Sequence, residues 1–195
     1  MLRVNPTIYR EYDIRGLADI DFSNEFSLLL GKALGTLLSE QGENKIAVGR
    51  DCRLTSEKYS AALVAGLIDS GINVIQLGIC PTPLVYFSIF HEEFENGIIV
   101  TGSHNPAGYN GFKICVKRKS FYGKEIQDLK DRIENKKFVR PSTQGTISYF
   151  NIVEPYTKFI LNNVSLKRSL RIIVDAGNGV AGPVAPKLFQ KLGCR

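Results

Sequence analysis

A chain of 195 residues with 44% hydrophobic and 23% charged residues can hold one large domain, or one domain and part of another, around a buried core. Its net charge of +6 comes from scattered basic residues. The one dense group, Lys117-Arg118-Lys119, reads as a solvated turn, so the excess suits small phosphorylated ligands and no nucleic-acid partner is expected. No apolar run approaches the ~20 residues of a spanning helix, and Met1–Pro6 lacks the apolar centre of a secretory leader, so no membrane partner and a cytoplasmic location are expected. Cys52, Cys80, Cys115 and Cys194 are spread out with no Cys-x-x-Cys pair, as free thiols of a reducing compartment would be.

In chain order, Phe26, Leu30, Ala33, Leu34 and Leu37 recur at helical spacing and predict a helix from residue 23 to about 41, with Gly42 as its stop. Lys45–Gly49 reads as a buried strand. A second helix follows, capped by Thr55, with Tyr59, Ala62, Leu63 and Leu67 on its apolar face and Gly71 at its end. Asn73–Leu77 is the next strand, and Pro81-Thr-Pro83 opens a short helix over 83–90. Gly97–Thr101 and Gly111–Val116 form two further strands, and Ile126, Leu129 and Ile133 mark another helix. Only about ten residues join those two strands, too few for a helical crossover, so they are expected to be antiparallel.

The pattern predicts an α/β domain: a mixed, mostly parallel sheet sandwiched by helices. Polar residues 135–147, with Pro141, Ser142, Thr143 and Gly145, read as an exit segment, so the first domain is placed at 1–147. Beyond it, Val153–Leu161 looks helical, Leu170–Asp175 looks like a strand, and Gly182–Leu192 looks like a helix with Val184, Leu188 and Leu192 on one face. One helix, one strand and one helix cannot bury a core, so 148–195 is expected to be the truncated start of a second α/β domain.

The chemistry gathers at Thr101-Gly-Ser-His-Asn-Pro106, directly after the apolar run Gly97–Val100. Pro106, Gly108 and Gly111 keep the loop out of regular structure and free its amides to face an anion. Ser103 there serves as an acyl nucleophile, a phosphoryl carrier or a turn residue. The acyl reading lacks its Gly-x-Ser-x-Gly, and His104, adjacent in sequence, is poorly placed as a base. Gly177-Asn-Gly-Val-Ala-Gly182 fits a dinucleotide fingerprint, which keeps a nucleotide-binding protein as a rival reading.

The whole segment Gly97–Lys113 resembles the phosphoserine segment of the α-D-phosphohexomutases, the phosphoglucomutase/phosphomannomutase family. Tyr9–Gly16, Val48–Arg53, Gly78–Pro83 and Ile173–Gly179 are similar to four further family blocks, in family order, so the resemblance spans the chain. It implies the family's amino-terminal domain and an intramolecular phosphotransferase that interconverts hexose 1-phosphate and hexose 6-phosphate, of mannose or glucose. It implies Ser103 as the phosphorylated residue, hexose 1,6-bisphosphate as intermediate and activator, and Mg2+ bound through the Ser103 phosphate. Lys113 would be a general acid/base or else a solvated strand lysine, and Tyr12 and Arg15 would hold phosphate and substrate, Arg15 alternatively making an amino-terminal salt bridge.

His104 and Asn105 either bond substrate hydroxyls or shape the loop; His104 is counted with the catalytic set and Asn105 with the binding set. Arg50, Asp51 and Arg53 read as a structural ion-pair cluster. Gly102 stands where the commonest family loop has alanine, which is expected to add backbone freedom beside the nucleophile. The Asp-Gly-Asp-Gly-Asp-Arg-type loop that supplies the family's metal carboxylates does not occur here, so the isolated chain is expected to be largely inactive, with the remaining domains as partners. The alternative is a non-catalytic truncated paralogue that binds a phosphosugar or a protein.

Overall fold

Ser23 starts the first helix, α1 (Asn24–Glu40), by accepting a hydrogen bond from the Phe26 amide at 3.0 Å, as an N-cap serine does. Its apolar stripe, Phe26, Leu30, Leu34 and Leu37, is buried against the sheet. The computed structural model describes residues 4–195; Met1–Arg3, half of the start assessed above as a leader, lie outside the described residues. Strand β1 (Ile14–Leu17) precedes α1, and after it come β2 (Lys45–Arg50), α2 (Ser56–Asp69), β3 (Asn73–Ile79), α3 (Thr82–His91), β4 (Gly97–Val100) and β5 (Tyr109–Val116). Strand β6 (Lys119–Ser120), α4 (Lys124–Glu134), β7 (Ile147–Tyr149), α5 (Val153–Asn163) and α6 (Ala185–Lys191) complete the order.

The sheet runs β1-β5-β4-β2-β3-β7, with β6 hairpinned onto β5. Strands β4, β2, β3 and β7 are parallel to one another, and β5 is antiparallel to both β4 and β1. The expected mixed, mostly parallel sheet is therefore present, reversed at the strand after the Ser103 loop. Side chains alternate across it. Ile46, Val48, Ile98, Val100, Phe112 and Ile114 meet α1, α2 and α4 on one face. Ala47, Ile99 and Cys115 meet α3 on the other, with α5 packed behind. Helices α1 and α2 approach backbone to backbone: a Cβ on Gly31 would strike the Leu63 carbonyl, and one on Gly66 the Leu28 carbonyl.

Several details differ from the expectations. Strand β1 is not among the expected strands, because Arg15 and Gly16 interrupt its apolar alternation. Strand β7, which begins at the close of the polar segment, pairs parallel with β3 and so adds to the first sheet. Thr55 precedes α2 but makes no side-chain cap; its hydroxyl accepts from Asn110 Nδ2 at 2.9 Å. Leu170–Asp175 is extended without joining a ladder: it exchanges backbone hydrogen bonds only at its start, with Arg195, and leaves Ile173 99% exposed. The final helix is shorter than expected, Ala185–Lys191. Lys117 and Arg118 sit at positive φ in the β5–β6 turn, near Glu43 and Glu95, and all four cysteines are free.

Candidate functional site

Strand β3 lies on one side of β2 and β4 on the other. Where strand order reverses in this way, the connections diverge and leave a crevice at the carboxyl ends of the strands. Loop 101–108 leaves β4 there, and Asp51-Cys-Arg53 leaves β2 beside it. Ser103 is exposed and sits at φ 52, in the left-handed region that a non-glycine residue enters only when held. Its amide donates to Thr101 Oγ1 at 2.8 Å. Asn105 closes the turn twice, its amide and its Nδ2 both donating to the Gly102 carbonyl at 3.0 and 2.8 Å. In this structure Asn105 shapes the loop.

Of the ion-pair cluster expected at the end of β2, Asp51 and Arg53 pair and hold this loop, whereas Arg50 pairs with Glu57 on α2 instead. Asp51 is buried and accepts from Thr101 Oγ1 (2.8 Å), the Gly102 amide (3.1 Å), the Arg53 amide (3.0 Å) and Ser56 Oγ (2.5 Å). Arg53 Nε donates to Asp51 at 3.2 Å, and its two terminal nitrogens reach the carbonyls of Ser103, Asn105, Pro106 and Tyr109 at 2.6–3.1 Å. Gly102 is buried against the same guanidinium, and a Cβ there would overlap it. Its φ is not positive. The freedom expected of glycine is thus unused, and what matters is the space it leaves.

On the other side of the loop, antiparallel register pairs Ile14 with Phe112 and Arg15 with Gly111. One residue further along, Asp13 comes opposite Lys113. Asp13 is 7% exposed, and one of its carboxylate oxygens accepts from Lys113 Nζ at 2.8 Å and from Arg15 at 2.5 Å. Both of the cations expected in the site are therefore oriented by one buried carboxylate. Tyr12, 72% exposed, and Asn105 line the same recess of about 660 Å³. The sequence pattern does not single out Asp13. Its signal in the sequence is its place two residues before Arg15, at the turn that opens β1.

Ser103 lines a neighbouring cleft of about 950 Å³, with Asp51 and Arg53 at its floor and the turn 176–180 as its far wall. The ridge between the two recesses is the loop itself: Asn105, Pro106 and Tyr109 face the Lys113 side, and Ala107 and Gly108 the Ser103 side. Lys113, Arg15, Tyr12 and Asn105 are thus brought together, while Ser103 opens next door. His104 Nδ1 lies 3.4 Å from Ser103 Oγ, so the adjacent histidine does reach the hydroxyl. Asp19, also on the cleft, is held below the usual carboxylate range by hydrogen bonds from Lys58 and Tyr59. In the fingerprint-like turn, Gly177 and Asn178 have positive φ, and α6 starts three residues after Gly182, separated from the glycines.

Among the described residues, no three His, Cys, Asp or Glu side chains are grouped to hold a metal ion. Both Asp51 oxygens are taken by loop and helix donors. This donor set does not fit magnesium, which needs about six oxygens, several of them carboxylate or water.

The fold and loop define an α/β domain that presents a serine at the switch point of its sheet. The family model for phosphoglucomutase/phosphomannomutase, alpha/beta/alpha domain I, matches residues 6–140. The phosphoglucomutase of Neisseria meningitidis is 39% identical over 193 residues, which are 99% of this chain and 42% of that protein. The phosphomannomutase/phosphoglucomutase of Pseudomonas aeruginosa is 38% identical over 96% of this chain and 40% of its own length. The crystal structure of a phosphoglucomutase/phosphomannomutase family protein from Burkholderia thailandensis superposes with a TM-score of 0.93 at 35% identity, covering 99% of this chain and 43% of that one. The chain belongs to the phosphoglucomutase/phosphomannomutase family and carries its α/β/α domain I. It spans about two fifths of the length of these relatives.

Proposed function

We propose that this chain is the phosphoserine-bearing part of a hexose-phosphate mutase acting on glucose or mannose phosphates. The observation that carries the reading is Ser103 itself, exposed in a left-handed turn at the carboxyl end of β4, with Lys113 and Arg15 oriented on the neighbouring strands. Phosphoryl transfer makes few demands beyond position and charge control. In the forward step a hexose monophosphate hydroxyl attacks the phosphorus on Ser103 Oγ. Its new O–P bond forms as the Oγ–P bond breaks, giving a hexose 1,6-bisphosphate and a free serine. The bisphosphate then turns over and returns its other phosphoryl group to Ser103.

Arg15 and Lys113 attract the phosphate, and Tyr12 borders their recess. Lys113 Nζ and His104 Nδ1 are the groups offered for the proton that leaves the attacking hydroxyl and the one that Oγ takes up. Magnesium, when bound, would draw charge from the phosphoryl oxygens. Its carboxylates and the walls that read the sugar and its distal phosphate come from other polypeptide, so the isolated chain is expected to turn over little or no hexose phosphate. Phosphorylated hexose is then the ligand, and the cytoplasm the compartment that supplies it.

The test is intact-mass measurement after incubation with glucose 1,6-bisphosphate and magnesium. The expected product carries one phosphoryl group, absent from Ser103→Ala. Equal labelling of the two proteins would end the carrier reading and leave a non-catalytic phosphosugar- or protein-binding module as the alternative. Rapid turnover of glucose 1-phosphate by the purified chain would refute the expected inactivity.

A further inference from the structure

The Ser103 loop is held from beneath by a residue fifty positions away. We propose that Arg53 is the positioning residue of this loop, and that Gly102 is its steric counterpart. The guanidinium, anchored on Asp51, ties down four loop carbonyls and keeps Ser103 in the left-handed turn that exposes its hydroxyl. A residue without Cβ at 102 leaves the guanidinium its seat. The proposal deepens the function proposed above and rests on it for its catalytic consequence.

Arg53 Nη1 donates to Pro106 and Tyr109, at 2.7 and 3.1 Å, and Nη2 to Asn105 and Ser103, at 2.6 and 3.1 Å. Only a planar fork with several donors in fixed directions serves four carbonyls at once; an ammonium on a flexible stem does not. Asp51 takes the remaining Nε–H at 3.2 Å, so the fork cannot swing without losing an ion pair whose members are largely shielded from water. The orientation has a second effect. The peptide bonds of the described residues are trans, so a carbonyl aimed at Arg53 aims the next amide the opposite way. The His104 and Ala107 amides follow two of these carbonyls. Neither has a protein acceptor among the described residues, and both are free to face an anion at the serine. At 102, a methyl would fall on Cζ and Nε of Arg53 and crowd the Tyr109 carbonyl. Backbone cannot yield there, so the side chain must.

The test is amide hydrogen exchange by NMR on the whole chain, comparing wild type with Arg53→Ala, Arg53→Lys and Gly102→Ala. In Arg53→Ala the Ser103, Asn105 and Tyr109 amides are expected to exchange about tenfold faster or more, with β2 and β3 amides unchanged. The Ser103 Cα shift should leave its left-handed position. Millimolar guanidinium should restore both signals in Arg53→Ala. Arg53→Lys should loosen the loop too, because charge without the fork is insufficient, and Gly102→Ala should do so with Arg53 intact. Wild-type loop exchange in Arg53→Ala, or in both other variants, would overturn the proposal. As a separate arm, the rate of phosphoryl uptake by Ser103 from glucose 1,6-bisphosphate should fall about tenfold or more in Arg53→Ala. A wild type that takes up no phosphoryl group removes the carrier reading; the exchange measurements still judge the clamp.

Discussion

Two apolar runs of nearly the same character meet opposite fates in this chain. Lys45-Ile-Ala-Val48 is the centre of the sheet, with Ile46 and Ala47 fully buried between β3 and β4. Leu170-Arg-Ile-Ile-Val174 is extended but stands at the surface, with Ile173 99% exposed and Val174 38%. Local composition cannot distinguish them, because a strand is stable only when both its backbone groups and its side chains find neighbours. Helices α5 and α6 contain no buried residue, whereas α1 alone contains ten. The body up to β7 therefore holds most of the buried core, and residues 164–195 add little to it.

The largest expected effect comes from cutting into the body. Leu34→Ala removes a wholly buried side chain and should cost about 2–5 kcal/mol in denaturant unfolding. Ile173→Ala should stay within about 0.5 kcal/mol, and a comparable loss at both sites would break the contrast. Next comes the α1–α2 contact. Gly66→Ala drives a methyl against the Leu28 carbonyl and should cost about 1–3 kcal/mol, read by the same unfolding curve.

A pH dependence follows from the body's buried acids. Burial pushes the Cys80 thiol from 9.0 up to about 12, and the Tyr59 hydroxyl from 10.0 up to about 12. In each case the unfolded group ionises first, so the contribution is intact below the unfolded value and is lost as pH rises toward the folded one. Thermal stability should therefore fall from about pH 9 upward, and for Cys80→Ala less steeply. A flat profile between pH 9 and 11 would contradict this burial. The smallest effect is kinetic: with a thiol reagent at neutral pH, Cys52 should react first, Cys194 next and Cys80 last. Cys194 is shielded only within the loosely packed end, which opens locally, while Cys80 needs the sheet to open. Equal protection of Cys194 and Cys80 would show that the end is as firmly packed as the body.

Much of this was legible in the residues alone. The apolar spacing of Phe26, Leu30 and Leu34, or of Ile126, Leu129 and Ile133, specifies helices because each buries one stripe. The short link from β4 to β5 specifies a reversal because nothing shorter than a crossover joins parallel strands. The loop at Thr101–Pro106 was readable as chemistry because a serine there follows a buried strand and cannot continue into a helix. What neighbouring residues do to one another is written in sequence.

Contacts between distant residues were decided only by the fold. Asp13 meets Lys113 because antiparallel register sets residues a hundred positions apart side by side. Arg53 holds the Ser103 loop because β2 and β4 end together at the point where strand order reverses. Gly102, which looks like freedom in the sequence, is space for that arginine in the structure. The run at 170–174 shows the same limit from the other side, since strand-like composition forms no strand until the fold supplies a partner for its backbone.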